Sequence, residues 1–422
     1  LRYIYEETVR ETGKEMPGYP AFAGIMKAIQ EELQEKYGEF YAVYNTDDVH
    51  FELWTIVEED IRKENPEIEH VAQLFERLES FTFEYDEEAQ VPVYKVYRAL
   101  NNQLYAYPDA GVAFARIPYF SDASIVYLQC VLATGKENIT SFLQTLRDRV
   151  WKKSRDEVLV FRDSEEGVSQ EQQQVTNTVT REDVVLNESV KKEIYGMLDQ
   201  FFTEDRSFFT TYDIPYRRGI LLYGPPGNGK TTLVKSIANT VAAPVAYWQI
   251  TEHTSSESIE EVFSSATRLA PMVLVIEDID SMPNEVRSYF LNTLDGATSK
   301  EGIFLIGTTN YPEEIDPGLI NRAGRFDRGY EITLPDASLR SQYVTKVGFL
   351  NLLNQEEVDK VVDKTEGFSF AQLKELFVFL AAAKHQGDEV SAKDIIKNMK
   401  REYKKSKSGK WWEEQQDELG FR

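Results

Sequence analysis

The sequence has one cysteine, Cys130, in 422 residues. Neither an intrachain disulfide nor a cysteine-rich zinc site can be built from it. Positive charge is also scarce. Lys and Arg number 47 against 71 Asp and Glu, a formal net charge of −24, and this balance argues against a general nucleic-acid binder, which needs a basic excess to neutralise phosphates. No apolar run approaches the roughly 18 residues needed to span a bilayer, and no basic-then-apolar signal segment opens the chain. The expectation from these absences is a soluble protein of a reducing, cytoplasmic compartment, with no membrane span and no nucleic-acid partner. The histidines, His50, His70, His253 and His385, are scattered, and none is assigned to a metal.

What is present suffices for two or three packed cores, since 42% of the residues are apolar. Residues 1–162 read as a mixed α/β N-terminal domain. Ile25, Met26, Ile29 and Leu33 recur at helical spacing, as do Val71, Leu74 and Leu78, and again Ile139, Phe142, Leu143, Leu146 and Val150. Phe81, Phe83 and Tyr85 alternate as in a strand, and Val158–Phe161 is a short strand-like run. The aromatics Tyr105, Tyr107, Phe114, Tyr119 and Phe120 read as core rather than as a binding surface. Residues 163–180 are polar and Gln-rich, too poor in apolar groups to offset ordering, and read as a linker.

Beyond the linker, residues 181–335 follow an α/β rhythm, with strands expected at Gly219–Tyr223, Val245–Ile250, Met272–Ile276, Ile303–Gly307 and Tyr330–Leu334. Residues 336–405 read as a small helical domain with helices from Leu339 to Leu353, Glu356 to Lys364, Phe370 to His385 and Ser391 to Lys405. Residues 406–422 read as a loosely attached tail.

Chemistry is concentrated in the α/β region. Gly224-Pro225-Pro226-Gly227-Asn228-Gly229-Lys230-Thr231-Thr232 lies between an apolar strand and a helix, the setting a phosphate-binding loop requires. Its glycines allow backbone N–H groups to close around phosphates, Lys230 adds positive charge, and the Thr231 hydroxyl can ligate Mg²⁺. Downstream, the strand VLVIEDID ends in Glu277 and Asp278. One carboxylate can hold hydrated Mg²⁺ and the other can polarise the attacking water; alone, such acids are as often a solvated turn. Asn310 ends the next strand, where it can meet a γ-phosphate or the water, although Asn is also a routine turn former. Arg322 and Arg325 stand three apart in a polar turn and can reach a phosphate across a subunit boundary; isolated surface arginines are usually only solvated.

The order GPPGNGKT, VLVIEDID, IGTTN, DPGLINRAGRFDR resembles the AAA clade of AAA+ ATPases over roughly residues 180–400. The resemblance implies a P-loop NTPase α/β fold, a parallel sheet with a helical lid. It implies ATP and Mg²⁺ as ligands, a homo-oligomeric ring, typically a hexamer, and ATP hydrolysis. By it Asn310 is similar to the sensor-1 residue, Arg322 and Arg325 to paired arginine fingers acting on a neighbour's ATP, and Gly367–Leu373 to the start of the lid helix. The stretch from Tyr212 through the phosphate loop, with the Glu277-Asp278 order in place of Asp-Glu, resembles the subgroup of the mitochondrial inner-membrane ATPase that translocates the folded Rieske protein. In that subgroup Glu277 falls on the metal side, with Thr231, and Asp278 on the water side.

Two departures matter. Thr251–Glu261 has no aromatic where unfoldases of this clade carry a pore-gripping loop, and Phe370 stands where the clade often has Gly near the adenine. The expected function is a chaperone-like remodeller of folded or partly folded protein clients, recognised by the N-terminal domain on analogy alone. The alternatives are a nucleotide-dependent assembly scaffold with slow hydrolysis and, against the charge balance, a nucleic-acid loader.

Overall fold

The structure, a computed structural model, describes residues 3–5, 19–45, 50–86, 93–120, 125–155, 157–165, 167–174, 179–203, 205–295, 301–319, 325–386 and 391–407. The chain divides into two compact units, Leu1–Val150 and Trp151–Arg422.

The first unit is built on a six-stranded sheet. Its elements are β1 (Tyr3–Tyr5), α1 (Tyr19–Tyr37), β2 (Ala42–Tyr44), α2 (His50–Arg62), β3 (Glu69–Phe75), β4 (Phe81–Asp86), β5 (Val93–Arg98), β6 (Gln103–Tyr107), β7 (Val112–Phe120), β8 (Ile125–Ala133) and α3 (Lys136–Lys153). The sheet order is β1-β3-β6-β7-β8-β2, and β4 and β5 form a separate antiparallel ribbon. Strand β6 shows how the sheet is covered on both faces, as every one of its residues is buried. Leu104 and Ala106 pack with Ile25, Ile29 and Leu33 of α1, while Tyr105 and Tyr107 pack with Trp54 and Val57 of α2 and Phe142 and Leu146 of α3.

Two expectations change here. Val71 and Leu74 lie in a strand, β3, not a helix: a register shift between His70 and Ala72 breaks the alternation and leaves Ala72, Gln73 and Leu74 all buried, which imitates helical spacing in the sequence. Of the aromatics expected in the core, Tyr105, Tyr107 and Phe114 are buried, whereas Tyr119 is exposed toward the end of β7; the Phe120 side chain lies outside the described residues.

The second unit opens with β9 (Glu157–Ser164) and β10 (Gly167–Gln174). It continues with α4 (Glu188–Phe201), α5 (Ser207–Thr211), β11 (Arg218–Tyr223), α6 (Lys230–Thr240), β12 (Val245–Gln249), α7 (Ser256–Leu269), β13 (Met272–Glu277), α8 (Asn284–Asp295), β14 (Ile303–Thr309) and β15 (Arg328–Glu331). The seven strands run in the order β10-β9-β12-β13-β14-β11-β15, parallel except for the β9–β10 hairpin. One face buries Ile194 and Leu198 of α4 and Leu233 and Ile237 of α6 against β11, β13 and β14. On the other, Trp248 packs with Phe263 of α7 and Phe290 of α8. Helices on both faces require the inner strands to be apolar along their buried length, as MVLVI and IFLIG are before the strands end in Glu277 and in Thr308-Thr309.

Residues 163–180 are therefore not simply a linker. Asp163 and Ser164 end β9, residues 167–174 form β10, and the described residues 179–183 run into a short turn of 3-10 helix at Arg181–Asp183. The last expected strand also moves, from Tyr330–Leu334 to Arg328–Glu331. After Pro335 come α9 (Ala337–Val347), α10 (Gln355–Lys364), α11 (Phe370–Gln386) and α12 (Ala392–Lys407), around a core of Val344, Val361, Leu373 and Leu376. The first of these helices stops at Gly348, whose φ of 96° ends α9 before Leu353. Residues 408–422, within the expected tail, lie outside the described residues.

Candidate functional site

The site lies at the carboxyl edge of the parallel strands, where this architecture places ligands. β11 ends at Tyr223 and α6 begins at Lys230, so the glycine-rich segment is the strand-to-helix turn. Its geometry demands glycine. Gly224 has φ 132° and a Cβ there would stand 2.5 Å from the Ile332 carbonyl oxygen; Gly227 has φ 77° and its Cβ would meet the Ala371 side chain at 2.8 Å.

Lys230 is buried, and its Nζ donates to the carbonyls of Gly224 at 2.6 Å and Pro225 at 3.1 Å. Burial pushes the ammonium below its ordinary range, opposed by the negative charges of Asp278 and Asp280. An ammonium desolvated against neutral carbonyls is an anion site in waiting. Beside it Asn228, also buried, donates to the Pro225 carbonyl, while its Oδ1 has no partner.

Glu277 ends β13 and Asp278 follows it with φ 54° and ψ 50°, a left-handed conformation uncommon for a residue with a side chain. The Asp278 N–H donates to Thr308 Oγ1 at 3.4 Å. Burial raises the Glu277 carboxyl above the usual carboxylate range, with Asp278 adding and Lys235 opposing. Burial likewise raises Asp278, with Asp280 adding, and a hydrogen bond from Gln249 and the charge of Lys230 opposing. On the adjacent strand Thr309 is fully buried and donates to Asp280 Oδ1 at 2.5 Å, and Asn310 follows at the strand's end.

A cavity of about 500 Å³ joins these groups; Pro226, Gly227, Gly229, Lys230, Thr231, Thr232, Glu277, Asp278 and Asn310 line one end. The other end is formed by Asp183, Val184, Val185, Tyr343, Phe370 and Lys374. The Tyr343 and Phe370 ring centroids are 4.6 Å apart. The α11 end of this wall is tied to the loop, as the Ala371 N–H donates to the Gly227 carbonyl at 3.0 Å.

A phosphate-sized polar end, a wall with two aromatic rings, and a volume in the range of small-ligand sites fit a nucleoside triphosphate. The donor set also fits Mg²⁺, which takes one or two protein oxygens, here the Thr231 hydroxyl and a Glu277 oxygen, with the remainder from phosphate and water. The polar end and Phe370 are legible in the sequence. Asp280, Thr308 and Thr309, which support the carboxylates, and Asp183, Val184, Val185, Tyr343 and Lys374, which belong to no contiguous motif, are not.

Arg325 departs from expectation. Its guanidinium is buried, Nε donating to Asp295 Oδ1 at 2.6 Å, one terminal nitrogen to Asp295 Oδ2 and the other to the Gly318 carbonyl. In this single chain the guanidinium is therefore held inward through three nitrogens. Arg322, the other expected finger, lies outside the described residues.

Residues 220–334 match the model of the ATPase family associated with various cellular activities (AAA). Similar proteins include the ATP-dependent zinc metalloprotease FtsH 2 of Methylacidiphilum infernorum, 30% identical over 240 residues, 51% of this chain and 37% of the relative. The ATP-dependent zinc metalloprotease FtsH of Malacoplasma penetrans is 30% identical over 220 residues, 47% of this chain and 26% of the relative. The chain thus spans about a third of the length of these relatives or less. None of its four histidines is followed by Glu, so the HExxH pair that would hold a protease zinc is not in this sequence. Residues 220–334, which hold the phosphate loop and the acid-ended strand, thus match the AAA family model.

Proposed function

We propose that this protein hydrolyses ATP and uses the cycle to remodel protein clients as a ring. One observation carries the reading: Lys230, Thr231, Glu277, Asp278 and Asn310, from three separate strand ends, line a single cavity.

The loop N–H groups at the start of α6 and the Lys230 ammonium would hold the β- and γ-phosphates. Thr231 and Glu277 would hold Mg²⁺, which supplies charge neutralisation on the phosphates when bound. Asp278 is the group we assign to orienting the attacking water and accepting its proton. Its raised pKa suits proton acceptance nearer neutrality than that of an ordinary aspartate. Asn310 would donate from its amide to the γ-phosphate oxygens or the water. Val184 and Val185 on one side and Tyr343 and Phe370 on the other would enclose the base.

The Glu277-Asp278 order and the absence of an aromatic in Thr251–Glu261 support kinship with the subgroup that handles folded clients, rather than threading of an unfolded chain. The first unit, which shares no element with the cavity, is assigned to client recognition. A homohexamer is the arrangement we favour. ATP turnover by the full chain tests the core of this reading: Lys230→Ala should lose nucleotide binding, while Asp278→Asn should keep it and lose roughly 10²- to 10⁴-fold in kcat. Ordinary turnover by Asp278→Asn would remove Asp278 from the mechanism.

A further inference from the structure

The β4–β5 ribbon of the first unit presents a largely apolar face whose side chains are exposed. In an antiparallel ladder, residues directly opposite share a face. The register pairs Phe83 with Val96, Tyr85 with Tyr94 and Phe81 with Arg98, and the Arg98 guanidinium lies 5.3 Å from the centre of the Phe81 ring, at one end of the face. On that face Phe83, Tyr94 and Val96 are 72%, 66% and 68% exposed, and Phe81 and Tyr85 are exposed as well. The alternate residues point the other way. Glu84 pairs with Arg62 at the end of α2 and accepts from the Tyr97 hydroxyl at 3.0 Å, and Tyr97 packs onto the core that α2 and α3 share. The ribbon is thus fixed to the unit by its polar side and turns its aromatic side to solvent. Two-stranded ribbons are marginal alone, so this anchoring is what keeps the aromatic face displayed.

Five such side chains offer on the order of 500 Å² of contiguous apolar surface, at the upper end of what monomeric proteins leave bare. That area decides between occupants. A stable dimer needs about 800 Å² from each partner, more than this face supplies. An extended polypeptide segment with apolar side chains flanked by lysine or arginine needs less area and is drawn to an acidic molecule.

We infer that the Phe81/Phe83/Tyr85/Tyr94/Val96 face of the β4–β5 ribbon is a docking surface for apolar, basic segments of protein clients. This rests on the reading of the first unit as the client-recognition unit.

The test uses the full chain and a fluorescein-labelled peptide of alternating leucine and lysine bearing a photo-cross-linker. A second peptide has glutamate in place of lysine. Anisotropy titrations compare the unaltered chain with the double variant Phe83→Ser/Tyr94→Ser, whose positions are exposed and so tolerate polar replacement. The proposal expects at least tenfold weaker binding by the variant, weaker binding of the glutamate peptide by the unaltered chain, unchanged basal ATPase rate and particle mass, and cross-links to β4 or β5. Equal binding by the variant overturns it, as does equal binding of the glutamate peptide. A fall in the variant's particle mass overturns it in favour of a contact between copies. Cross-links elsewhere in residues 1–150 overturn the ribbon but leave client recognition with that unit; cross-links confined to residues 151–422 overturn both.

Discussion

At the scale of single residues, the carboxylate pair sets the chemistry and its pH range. Glu277 and Asp278 are both raised by burial, and each bears a neighbouring negative charge, Asp278 on Glu277 and Asp280 on Asp278. A raised carboxyl keeps its proton to higher pH, and the proton-accepting form is the ionised one. The acid limb of kcat/KM, which reports the free enzyme, should therefore fall above the ordinary carboxylate range and belong to the pair rather than to either acid. Asp280→Asn removes one raising charge and should move that limb toward lower pH. A pH profile of both proteins checks this, and a limb that stays in place would detach it from Asp278. The polar end of the site was legible in the sequence because glycines, lysine and terminal acids act through local spacing. Arg325 was not, because its partners Gly318 and Asp295 lie seven and 30 positions away and nothing in NRAGRFDR distinguishes an inward guanidinium from an outward one. Arg325→Ala should destabilise the second unit by about 1–3 kcal/mol, the range for losing hydrogen bonds of a buried charged group, because the Asp295 carboxylate left behind is exposed to water. Thermal unfolding would reveal it.

At the scale of elements, the parallel sheet could be read from the sequence because apolar runs ending at Gly, Pro or acids mark buried strands. The β9–β10 hairpin could not. SQEQQQ looks like solvated chain, yet an edge strand needs only backbone pairing, which β10 makes with β9 along its whole length. β9 in turn carries a buried carboxylate, Asp163, which accepts from Trp248 Nε1 at 3.0 Å and Thr254 Oγ1 at 2.5 Å. The hairpin thereby covers the edge of β12 and pins the start of the Thr251–Glu261 stretch. A chain cut at Trp151 keeps these contacts, whereas one cut at Asp183 bares the backbone edge of β12 and exposes the Trp248 ring that β9 covers. We expect residues 151–422 to fold and bind nucleotide and residues 183–422 to aggregate or melt much earlier. Size-exclusion chromatography with light scattering and melting curves separates the two, and equal behaviour would return residues 157–174 to the status of a tether.

At the scale of the whole molecule, the two units answer different questions. The second holds every group of the candidate site, while the first supplies a doubly covered sheet and an exposed aromatic ribbon. Ring formation would bring a further cation to the phosphate end from a neighbouring chain. With Arg325 committed to Asp295, Arg322 is the residue of the pair left for that task. The two arginines should therefore separate in mixing experiments. Arg322→Ala should bind ATP with ordinary affinity and hydrolyse little, and mixing it with Lys230→Ala should recover part of the rate. In mixed rings some intact sites face an intact arginine. Arg325→Ala should instead lose melting temperature first and gain little from mixing, because its defect stays within each chain. Mixing must be verified by subunit exchange between labelled proteins. If Arg325→Ala is rescued while its stability is unchanged, the inward pairing with Asp295 does not persist in the assembled ring; if Arg322→Ala hydrolyses normally, the sites are complete within one chain.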